Sequence, residues 1–234
     1  MSIFKKNPVN DQKDITVNEA QGKLTELVFI LDRSGSMSGL EGDTVGGFNA
    51  MIEKQKREEG DCLVSTILFD HEQVVLHDRI PLTEVAPLTG EDYVTRGTTA
   101  LFDAVGSAIH HIGNVHKYAR PEDRPDHTLF LITTDGMENA SRRYNGEGIK
   151  EMIERQKNRY GWEFLFIGAN VDAILTAKSM GISSDHAVNY CADSKGTRLN
   201  YEAMNKAVYR MRTEGCVAAD WKSEVEEDHK KRGC

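Results

Sequence analysis

The sequence contains no run of apolar residues long enough to cross a lipid bilayer. Its longest apolar runs, such as residues 27–31, have the length of a β-strand, whereas a spanning helix needs about 20 apolar residues. It also lacks a segment rich in Gly, Pro or Ser that would divide it, and only 5 of its 234 residues are proline. These absences argue against a membrane-spanning protein and predict one domain with a single core.

An excess of positive charge is also missing. The formal net charge is -8, and lysine and arginine form no stripe or patch along the sequence. Proteins that bind nucleic acids normally carry such a patch, because it neutralises phosphates. We therefore predict that no nucleic acid is bound.

Cysteine is scarce and widely spaced. The four cysteines, Cys62, Cys191, Cys216 and Cys234, form no Cys-x-x-Cys pair. This pattern favours free thiols in a reducing compartment over a framework of disulfides. Residues 1–14 contain three lysines, Lys5, Lys6 and Lys13, and no apolar stretch follows Lys5 and Lys6, which is unlike a secretory signal. We therefore expect a cytoplasmic protein.

One carboxylate and two hydroxyls directly follow the apolar run at residues 27–31. Asp32, Ser34 and Ser36 occupy alternate positions of the segment Asp-Arg-Ser-Gly-Ser. Hard cations such as Mg²⁺ prefer oxygen ligands, and hydroxyls supply oxygen without adding negative charge. The segment therefore predicts a cation site at the end of a strand.

Two later segments have the same character. Residues 97–101 place Thr99 at the start of a predicted helix, and Asp135 and Gly136 come shortly after the apolar run at residues 129–132. In an open α/β sheet, ligands bind outside the carboxyl ends of the strands. We therefore expect Thr99 and Asp135 to join the same site.

Together, these three segments resemble the metal-ion-dependent adhesion site of the von Willebrand factor A-type domain. The residues that this resemblance assigns to a divalent cation are Asp32, Ser34, Ser36, Thr99 and Asp135. Thr98 competes with Thr99 for one place, and we prefer Thr99 because it precedes a helix start that looks like that of bacterial members. The resemblance covers residues 25–214.

The resemblance implies an α/β fold with a doubly wound, mainly parallel sheet that has one antiparallel edge strand. The hydrophobic pattern agrees, since strand-like and helix-like segments alternate. It predicts strands at residues 24–32, 63–69, 74–77, 129–133, 162–168 and 187–190. It predicts helices at residues 43–58, 101–115, 149–160, 173–180 and 199–213, the first of them capped by Asp43.

We divide the chain into a polar arm at residues 1–23, the A-type domain at residues 24–214 and a charged tail at residues 215–234. Residues 226–232 of the tail carry a dense run of charges. Such a run is usually a solvated surface, and a docking segment is the alternative interpretation.

The resemblance also implies recognition and not catalysis. Mg²⁺ is the expected cation, with Mn²⁺ and Ca²⁺ as alternatives, and the expected partner is a protein whose Asp or Glu completes the coordination of that cation. Intracellular bacterial members look like adaptors that work beside AAA+ ATPases or in stress responses such as tellurite resistance. By analogy, such a protein is the expected partner.

The segment after Asp135 holds a second group of candidates. These residues are Glu138, Asn139, Arg142 and Arg143. They belong either to a solvated loop or to a surface that contacts the partner. Arginine forms bidentate pairs with carboxylates, so the second interpretation again favours an acidic partner.

A hydrolase is the alternative from another functional class. Residues 35–39, Gly-Ser-Met-Ser-Gly, approximate the Gly-x-Ser-x-Gly pattern of a nucleophile elbow, although Met37 occupies the place of its serine. The candidate residues are Ser38 as nucleophile, Asp135 or Asp172 as the acid and His186 as the base. Only one predicted strand precedes this pattern, and no oxyanion-hole segment lies upstream. Hydrolysis by metal-activated water is a further alternative, but the sequence places no general base near the cation ligands.

Overall fold

The computed structural model describes residues 23–169 and 172–234, which form a six-stranded sheet covered by helices. The strands are β1 Thr25–Asp32, β2 Cys62–Phe69, β3 Gln73–Pro81, β4 His127–Thr134, β5 Glu163–Gly168 and β6 Ala187–Asn189. The helices are α1 Glu41–Gln55, α2 Leu101–Tyr118, α3 Gly146–Tyr160, α4 Ala173–Ser179, α5 Ser194–Glu214 and α6 Ser223–Arg232. The predicted arm lies outside the described residues except for Lys23.

The strand order in the sheet is β3-β2-β1-β4-β5-β6. Among the described strands, only the edge pair β2 and β3 is antiparallel. From β1 the chain first builds outward to β3 and then returns to place β4 on the other side of β1. The predicted fold class is therefore confirmed, and the point where the winding reverses lies between β1 and β4, where such sheets bind ligands.

Strand β1 lies at the centre of the sheet and is buried along its whole length. Its side chains alternate between the two faces, as the two-residue period of a strand requires. Leu27, Phe29 and Leu31 join a core cluster with helices α1 and α5, and Val28 and Ile30 join a second cluster with α2 and α3. The continuous apolar run at residues 27–31 follows from burial on both faces.

The start of helix α1 differs from the prediction. The helix begins at Glu41, and the residue before it is Leu40, so the prediction that Asp43 is the N-cap is wrong. Asp43 instead lies in the first turn, where its carboxylate accepts a hydrogen bond of 2.6 Å from the Ser194 hydroxyl. This contact joins the start of α1 to the start of α5, a long-range contact that the local pattern cannot show.

The predicted loop after β3 is largely irregular, but it is packed against the domain. Val85, Leu88 and Tyr93 are buried in the core. The side chain of Asn49 on helix α1 accepts a hydrogen bond of 2.7 Å from the Leu88 amide and donates one of 2.8 Å to the Leu88 carbonyl. The segment that carries Thr99 is therefore fixed to α1.

The charged tail folds back onto the domain as helix α6. Trp221 and Val225 are each 2% exposed and belong to the core cluster of α1 and α5. The solvated interpretation is right only for the outer face of this helix. The expectation of free thiols is wrong for Cys191 and Cys234, which are joined in a disulfide because folding brings their Cα atoms within 5.6 Å.

Candidate metal site

The hydroxyls predicted as cation ligands converge at the carboxyl ends of β1 and β4. Gly136 marks the place, because a Cβ atom on it would lie 2.7 Å from Thr99 Oγ1, 3.0 Å from Ser36 Oγ and 3.5 Å from Ser34 Oγ. Ser34 Oγ and Ser36 Oγ are themselves 3.0 Å apart. Three hydroxyls from two distant segments thus surround one point beside Asp135.

The loop after β1 is held in a tight turn that presents both serines. The Gly35 amide donates to the Gly97 carbonyl at 3.2 Å, and the Arg96 amide donates to the Arg33 carbonyl at 2.9 Å. Gly97 has a φ of 67°, and a side chain there would overlap the ring of His71. The two hydroxyl-bearing segments therefore run side by side, which only glycine permits at position 97.

Asp32 is fully buried at the end of β1, and both of its carboxylate oxygens accept hydrogen bonds. One oxygen accepts from the Ser34 amide and the other from the Thr134 hydroxyl, each at 2.6 Å. Burial raises the pKa of Asp32 to about 6, although these two hydrogen bonds act in the opposite direction. The carboxylate is thus oriented but lacks a positive charge.

Asp135 follows β4 and is 2% exposed. Within the described part of the chain, neither of its carboxylate oxygens has a hydrogen-bond partner. Burial raises its pKa above the ordinary value, although the neighbouring Ser36 hydroxyl, which is too poorly placed for a full hydrogen bond, acts in the opposite direction. A buried carboxylate without a partner is costly, so this side chain requires either a proton or a cation.

These features fit a hard divalent cation. Two buried carboxylates and three hydroxyls supply oxygen ligands alone, which is the donor set of Mg²⁺ and Mn²⁺ and not of a soft metal. The cation would neutralise the two buried carboxylates, whose pKa values burial raises. It would be held by Ser34, Ser36, Thr99, Asp32 and Asp135.

Thr99 Oγ1, from the pair Thr98 and Thr99, lies beside the hydroxyls of Ser34 and Ser36. Thr99 is 3% exposed, whereas Thr98 is exposed. The Thr99 amide donates to the Asn139 side chain at 2.9 Å, and the Thr99 carbonyl accepts from the amides of Asn139 and Ala140. The segment after Asp135 therefore positions the Thr99 segment.

Glu138 and Asp103 form further hydrogen bonds between the segment after Asp135 and the start of α2. Glu138 accepts hydrogen bonds from the amides of Phe102, Ala140 and Ser141 and from the Ser141 hydroxyl, at 2.7–3.0 Å. Asp103, in the first turn of α2, accepts from the amides of residues 142–144. Burial acts to raise the pKa of Asp103, but these amides hold it below its ordinary value.

Asp103 was missed by the sequence reasoning. The available signal was an acidic residue on the buried face of an otherwise apolar helix, where Leu101, Ala104 and Val105 are its neighbours. Burying a carboxylate there requires hydrogen-bond donors from another segment. The donors come from the segment after Asp135. The segments that carry Thr99 and Asp135, two of the three with proposed ligands, are therefore held together by hydrogen bonds.

The predicted partner contacts divide into two kinds. Glu138 and Asn139 use their side-chain oxygens inside the protein, as described above. Arg142 and Arg143 are exposed beside them. Arg143 donates to the Ser107 hydroxyl at 2.9 Å and lies 3.8 Å from Asp103. The two arginines are therefore accessible to another molecule.

A second acidic cluster lies at the same edge of the sheet. Asp70, His71 and Glu72 have ligand atoms within 4.8 Å of one another, a separation that suits a metal ion. However, the Nε atoms of Arg33 and Arg96 each lie 3.0 Å from the same oxygen of Asp70. Two guanidinium groups already neutralise this cluster, so it is a poor site for a cation.

The residues proposed for a hydrolase are not brought together. Ser38 lies just beyond the carboxyl end of β1, whereas His186 directly precedes β6 and so lies at the opposite edge of the sheet. His186 Nε2 is 2.9 Å from a carboxylate oxygen of Glu163, at the start of β5. The glycines and serines of residues 35–39 are therefore explained by the turn that presents Ser34 and Ser36, and Met37 stands where an elbow would have its serine.

No protein-family model matches this sequence, and no curated protein matches it. Solved structures, however, share its fold. The von Willebrand factor domain of the type V pili tip protein Mfa5 from Porphyromonas gingivalis has a TM-score of 0.59 at 10% identity, over 84% of this chain and 99% of that chain. A von Willebrand factor type A protein from Catenulispora acidiphila has a TM-score of 0.55 at 10% identity, over 80% and 43% of the two chains.

A third similar structure is proximal thread matrix protein 1 from the mussel byssus, solved with zinc in its metal-ion-dependent adhesion site. It has a TM-score of 0.55 at 12% identity, over 80% of this chain and 46% of that chain. This chain thus spans less than half the length of the mussel protein. At such identities the likeness shows the fold, which is that of the von Willebrand factor A-type domain.

None of the helices in the described part of the chain is both long and apolar enough to cross a membrane. The helix with the longest span, α5, carries charged residues along its length, including Lys195, Arg198 and Glu202. The site at the carboxyl ends of β1 and β4 is thus presented by a domain without a spanning helix among its described residues.

Proposed function

We propose that this protein is a binding domain that recognises a protein partner through a bound divalent cation. The observation that carries the proposal is the buried carboxylate of Asp135, which has no hydrogen-bond partner among the described residues and lies beside three converging hydroxyls. The A-type fold supports it, since one similar structure holds zinc at the equivalent kind of site. Mg²⁺ is the proposed cation, because all ligands are hard oxygens.

Each side chain has a separate role in this mechanism. Ser34, Ser36 and Thr99 donate neutral oxygen lone pairs, and Asp32 and Asp135 supply the negative charge, directly or through water. The hydrogen bonds to Asp32 fix its carboxylate before any cation binds. When bound, Mg²⁺ would offer an open coordination position to a carboxylate from outside.

Neutral ligands are important for this function. Only two of the five proposed ligands carry charge, so the site would leave a divalent cation without surplus negative charge around it. An external Asp or Glu is then attracted to the site, whereas a cage with three or four carboxylates would repel it. The ligand set thus favours recognition of a partner over simple storage of the ion.

The segment after Asp135 would serve the same function in two ways. We propose that Arg142 and Arg143 contact acidic groups of the partner around the central carboxylate, because both are exposed beside the site. We revise the prediction for Glu138 and Asn139, whose oxygens hold the Thr99 segment and the start of α2 in place. They are proposed as positioning residues.

The wider setting is part of the proposal. We propose a bacterial adaptor that binds an AAA+ ATPase or a stress-response protein in the cytoplasm, as the resemblance implies. The free thiols of Cys62 and Cys216 suit a reducing compartment, and the Cys191–Cys234 disulfide is the feature that does not. A cytosolic disulfide is usually transient and takes part in redox sensing.

The proposal is tested by measuring binding of Mn²⁺ and Mg²⁺ to the purified protein and then capture of partners from the lysate of the source cell. Capture is done in Mg²⁺ and in EDTA, with wild type, Asp32→Ala and the control Glu53→Ala, which removes an exposed carboxylate from α1. We expect a protein retained by wild type and Glu53→Ala in Mg²⁺ alone. Equal retention in all conditions, or a folded wild type that binds no divalent cation, would refute the proposal.

The enzymatic alternative predicts a different result. A metal-dependent hydrolase would turn over a phosphoester or ester in Mg²⁺, and a serine hydrolase would lose activity on Ser38→Ala. We expect no turnover of p-nitrophenyl phosphate or p-nitrophenyl acetate above that of the Asp32→Ala variant, because His186, the histidine assigned as base, precedes β6 and lies at the opposite end of the strands from Ser38.

A further inference from the structure

Helix α6 is fastened to the turn that follows strand β6. Cys191 comes just after β6 and is 3% exposed, and its disulfide partner Cys234 is exposed beyond the end of α6. The bond joins residues 43 positions apart. It therefore connects the last turn of α6 to the segment from which α5 begins.

Ion pairs join the same two segments. Arg232 on α6 pairs with Asp193, the N-cap of α5, and also with Asp228 at 2.6 Å. Lys195 in the first turn of α5 pairs with Asp228. We refer to the disulfide and these three ion pairs as the latch.

The other end of α6 is held by burial and by backbone acceptors. The Trp221 indole donates to the Asp185 carbonyl at 2.9 Å, and the Lys222 ammonium donates to the carbonyls of Ser184 and Ala187 at 2.7 and 2.9 Å. Asp185 and Ala187 lie at the start of β6, and Cys191 lies just past its end. Helix α6 thus lies along β6, which is the edge strand of the described sheet.

We propose that the Cys191–Cys234 pair is a thiol–disulfide exchange site, and that its reduction releases the end of α6 from the edge of the sheet. The co-reactant is a low-molecular-weight thiol. This inference goes beyond the metal-dependent function and does not rest on it. It makes a disulfide compatible with a reducing compartment, where such bonds are usually transient and redox-sensing.

The exposure of the two sulfurs gives the direction of the exchange. A thiolate attacks the Sγ of exposed Cys234, forms a mixed disulfide with it and releases the thiolate of Cys191, which then takes a proton from water. A second thiolate attacks the mixed disulfide, which yields the oxidised small thiol and the Cys234 thiolate. Cys62 does not compete, because it is buried and burial raises its pKa to about 12.

After reduction, α6 is still held by its ion pairs and by the burial of Trp221 and Val225 but no longer by the disulfide, so it opens more often. The disulfide closes a long loop, so its loss increases the freedom of the unfolded and partly opened chain. Opening of α6 would expose Trp221, the apolar surface beneath it and the free edge of β6. An edge strand with unpaired backbone groups can pair with another chain, which makes the opened state distinct from the closed one.

The test uses Trp162→Phe/Cys216→Ser, so that Trp221 is the only tryptophan and stray disulfides are prevented. Protein oxidised at Cys191–Cys234 is compared with protein reduced by dithiothreitol, and Cys234→Ser in the same background serves as the reduced control. We measure the tryptophan emission, the rate of trypsin cleavage after the lysines and the arginine within residues 222–232, and the Tm. On reduction we expect a red shift of the tryptophan emission, about tenfold faster cleavage and a fall in Tm of about 5–10 °C. In Cys234→Ser, which cannot form the disulfide, dithiothreitol should cause none of these changes.

Two results would overturn the inference. One is an unchanged cleavage rate and emission spectrum in protein whose thiol titration shows full reduction. The other is a disulfide that resists 10 mM reduced glutathione in the folded protein for a day, since a structural disulfide of that kind exchanges with no cellular thiol. Mg²⁺ affinity is measured in parallel, so that failure of the metal-dependent function is detected separately.

Discussion

Three aspartates end neighbouring strands at one edge of the sheet, yet their surroundings differ. Asp32, Asp70 and Asp135 follow or close β1, β2 and β4, and each is at most 2% exposed. Asp70 has the guanidinium groups of two arginines at 3.0 Å. Among the described residues, Asp32 and Asp135 have no lysine or arginine within ion-pairing distance. The chain thus neutralises the buried carboxylate of Asp70 and leaves those of Asp32 and Asp135 without a nearby positive charge.

The pKa values follow this difference. Burial acts to raise the pKa of Asp70, but the Glu72 amide and the two arginines bring it below its ordinary value. Burial raises the pKa of Asp32 and of Asp135, and no positive charge opposes it. A buried carboxylate needs a positive charge from the chain or from solution. The comparison therefore separates a structural cluster from the proposed cation site among residues of the same type.

The largest expected effect is a loss of stability caused by a substitution of Asp70. Asp70→Asn removes the charge that two guanidinium groups share and leaves the buried Arg33 without a counter-charge. We expect a loss of about 3 kcal/mol in the free energy of unfolding, in Mg²⁺ and in EDTA alike. For a domain of this size the Tm then falls by about 6–12 °C, which thermal unfolding by circular dichroism measures.

The same variant tests the assignment of the metal site. Asp70→Asn should keep its affinity for Mn²⁺ within about threefold, because Asp70 is not a proposed ligand. A variant that loses its cation while keeping its Tm would show that the cluster of Asp70, His71 and Glu72 holds the metal, contrary to the structure-based assignment.

Asp135→Asn should give the opposite result. Without metal, the substitution removes a buried charge that has no partner, so the Tm in EDTA should rise or stay level. In Mn²⁺ the variant should bind about 100-fold more weakly, which corresponds to about 2.7 kcal/mol, because an amide replaces a charged ligand. Calorimetric titration and electron paramagnetic resonance of free Mn²⁺ measure this loss.

Metal should also stabilise the wild type but not Asp135→Asn. Wild-type protein gains stability from any ion that binds the folded state alone, whereas Asp135→Asn should show the same Tm in Mg²⁺ and in EDTA. If Asp135→Asn destabilised the metal-free protein as much as Asp70→Asn does, the two carboxylates would be equivalent and the comparison would fail.

The pH dependence of the metal-free protein distinguishes the same residues. The folded pKa of Asp32 is about 6 and its ordinary value is 3.8, so the folded state binds the proton more tightly. Stability in EDTA should therefore rise as the pH falls from 7 to 4, by roughly 2 kcal/mol. The pKa of Asp70 is lowered in the folded state. The stability that Asp70 contributes is therefore present at pH values above its ordinary pKa and is lost as the pH falls through its lowered pKa.

The difference between wild type and Asp32→Asn isolates this effect from the other titrating groups. The variant should lose most of the rise between pH 7 and pH 4 and keep the part that is due to Asp135. Urea unfolding in EDTA at several pH values measures both curves. Parallel curves for the two proteins across this range would contradict the raised pKa.

The parts of the fold that depend on local sequence were predictable. Residues 27–31 and 129–132 are apolar because their strands are buried on both faces, and Asp32, Ser34 and Ser36 lie within one five-residue turn. Because these three residues are so close in the sequence, their spacing alone places their side chains near one another. The preference for Thr99 over Thr98 followed from its place at the start of α2, and the burial of Thr99 agrees with it.

The remainder depends on contacts between distant residues. Glu138 reaches Phe102 over 36 positions, Asp103 reaches Tyr144 over 41, and the disulfide spans 43. A single sequence carries no signal for such pairs, because many acidic and cysteine residues have the same local surroundings. For the same reason, the sequence alone did not show that Arg33 and Arg96 neutralise Asp70.

The smallest expected effect comes from one methyl group at Gly136. The backbone there does not need a left-handed φ, so alanine fits the chain, but its Cβ would lie 2.7 Å from Thr99 Oγ1 and 3.0 Å from Ser36 Oγ. Both hydroxyls must move to accommodate it. We expect Gly136→Ala to fold with nearly the wild-type Tm in EDTA and to bind Mn²⁺ about tenfold more weakly, which is about 1.4 kcal/mol.

Gly46→Ala is the matched control, because its new methyl group meets no described atom within 4 Å and should stabilise α1 slightly. Calorimetric titration of both variants with Mn²⁺ compares the same chemical change inside and outside the site. Since Gly136→Ala alters no charge, weaker binding would show that the positions of the hydroxyls, and not only the two carboxylates, set the affinity. Unchanged binding would place the cation elsewhere than at the point where Ser34, Ser36 and Thr99 converge.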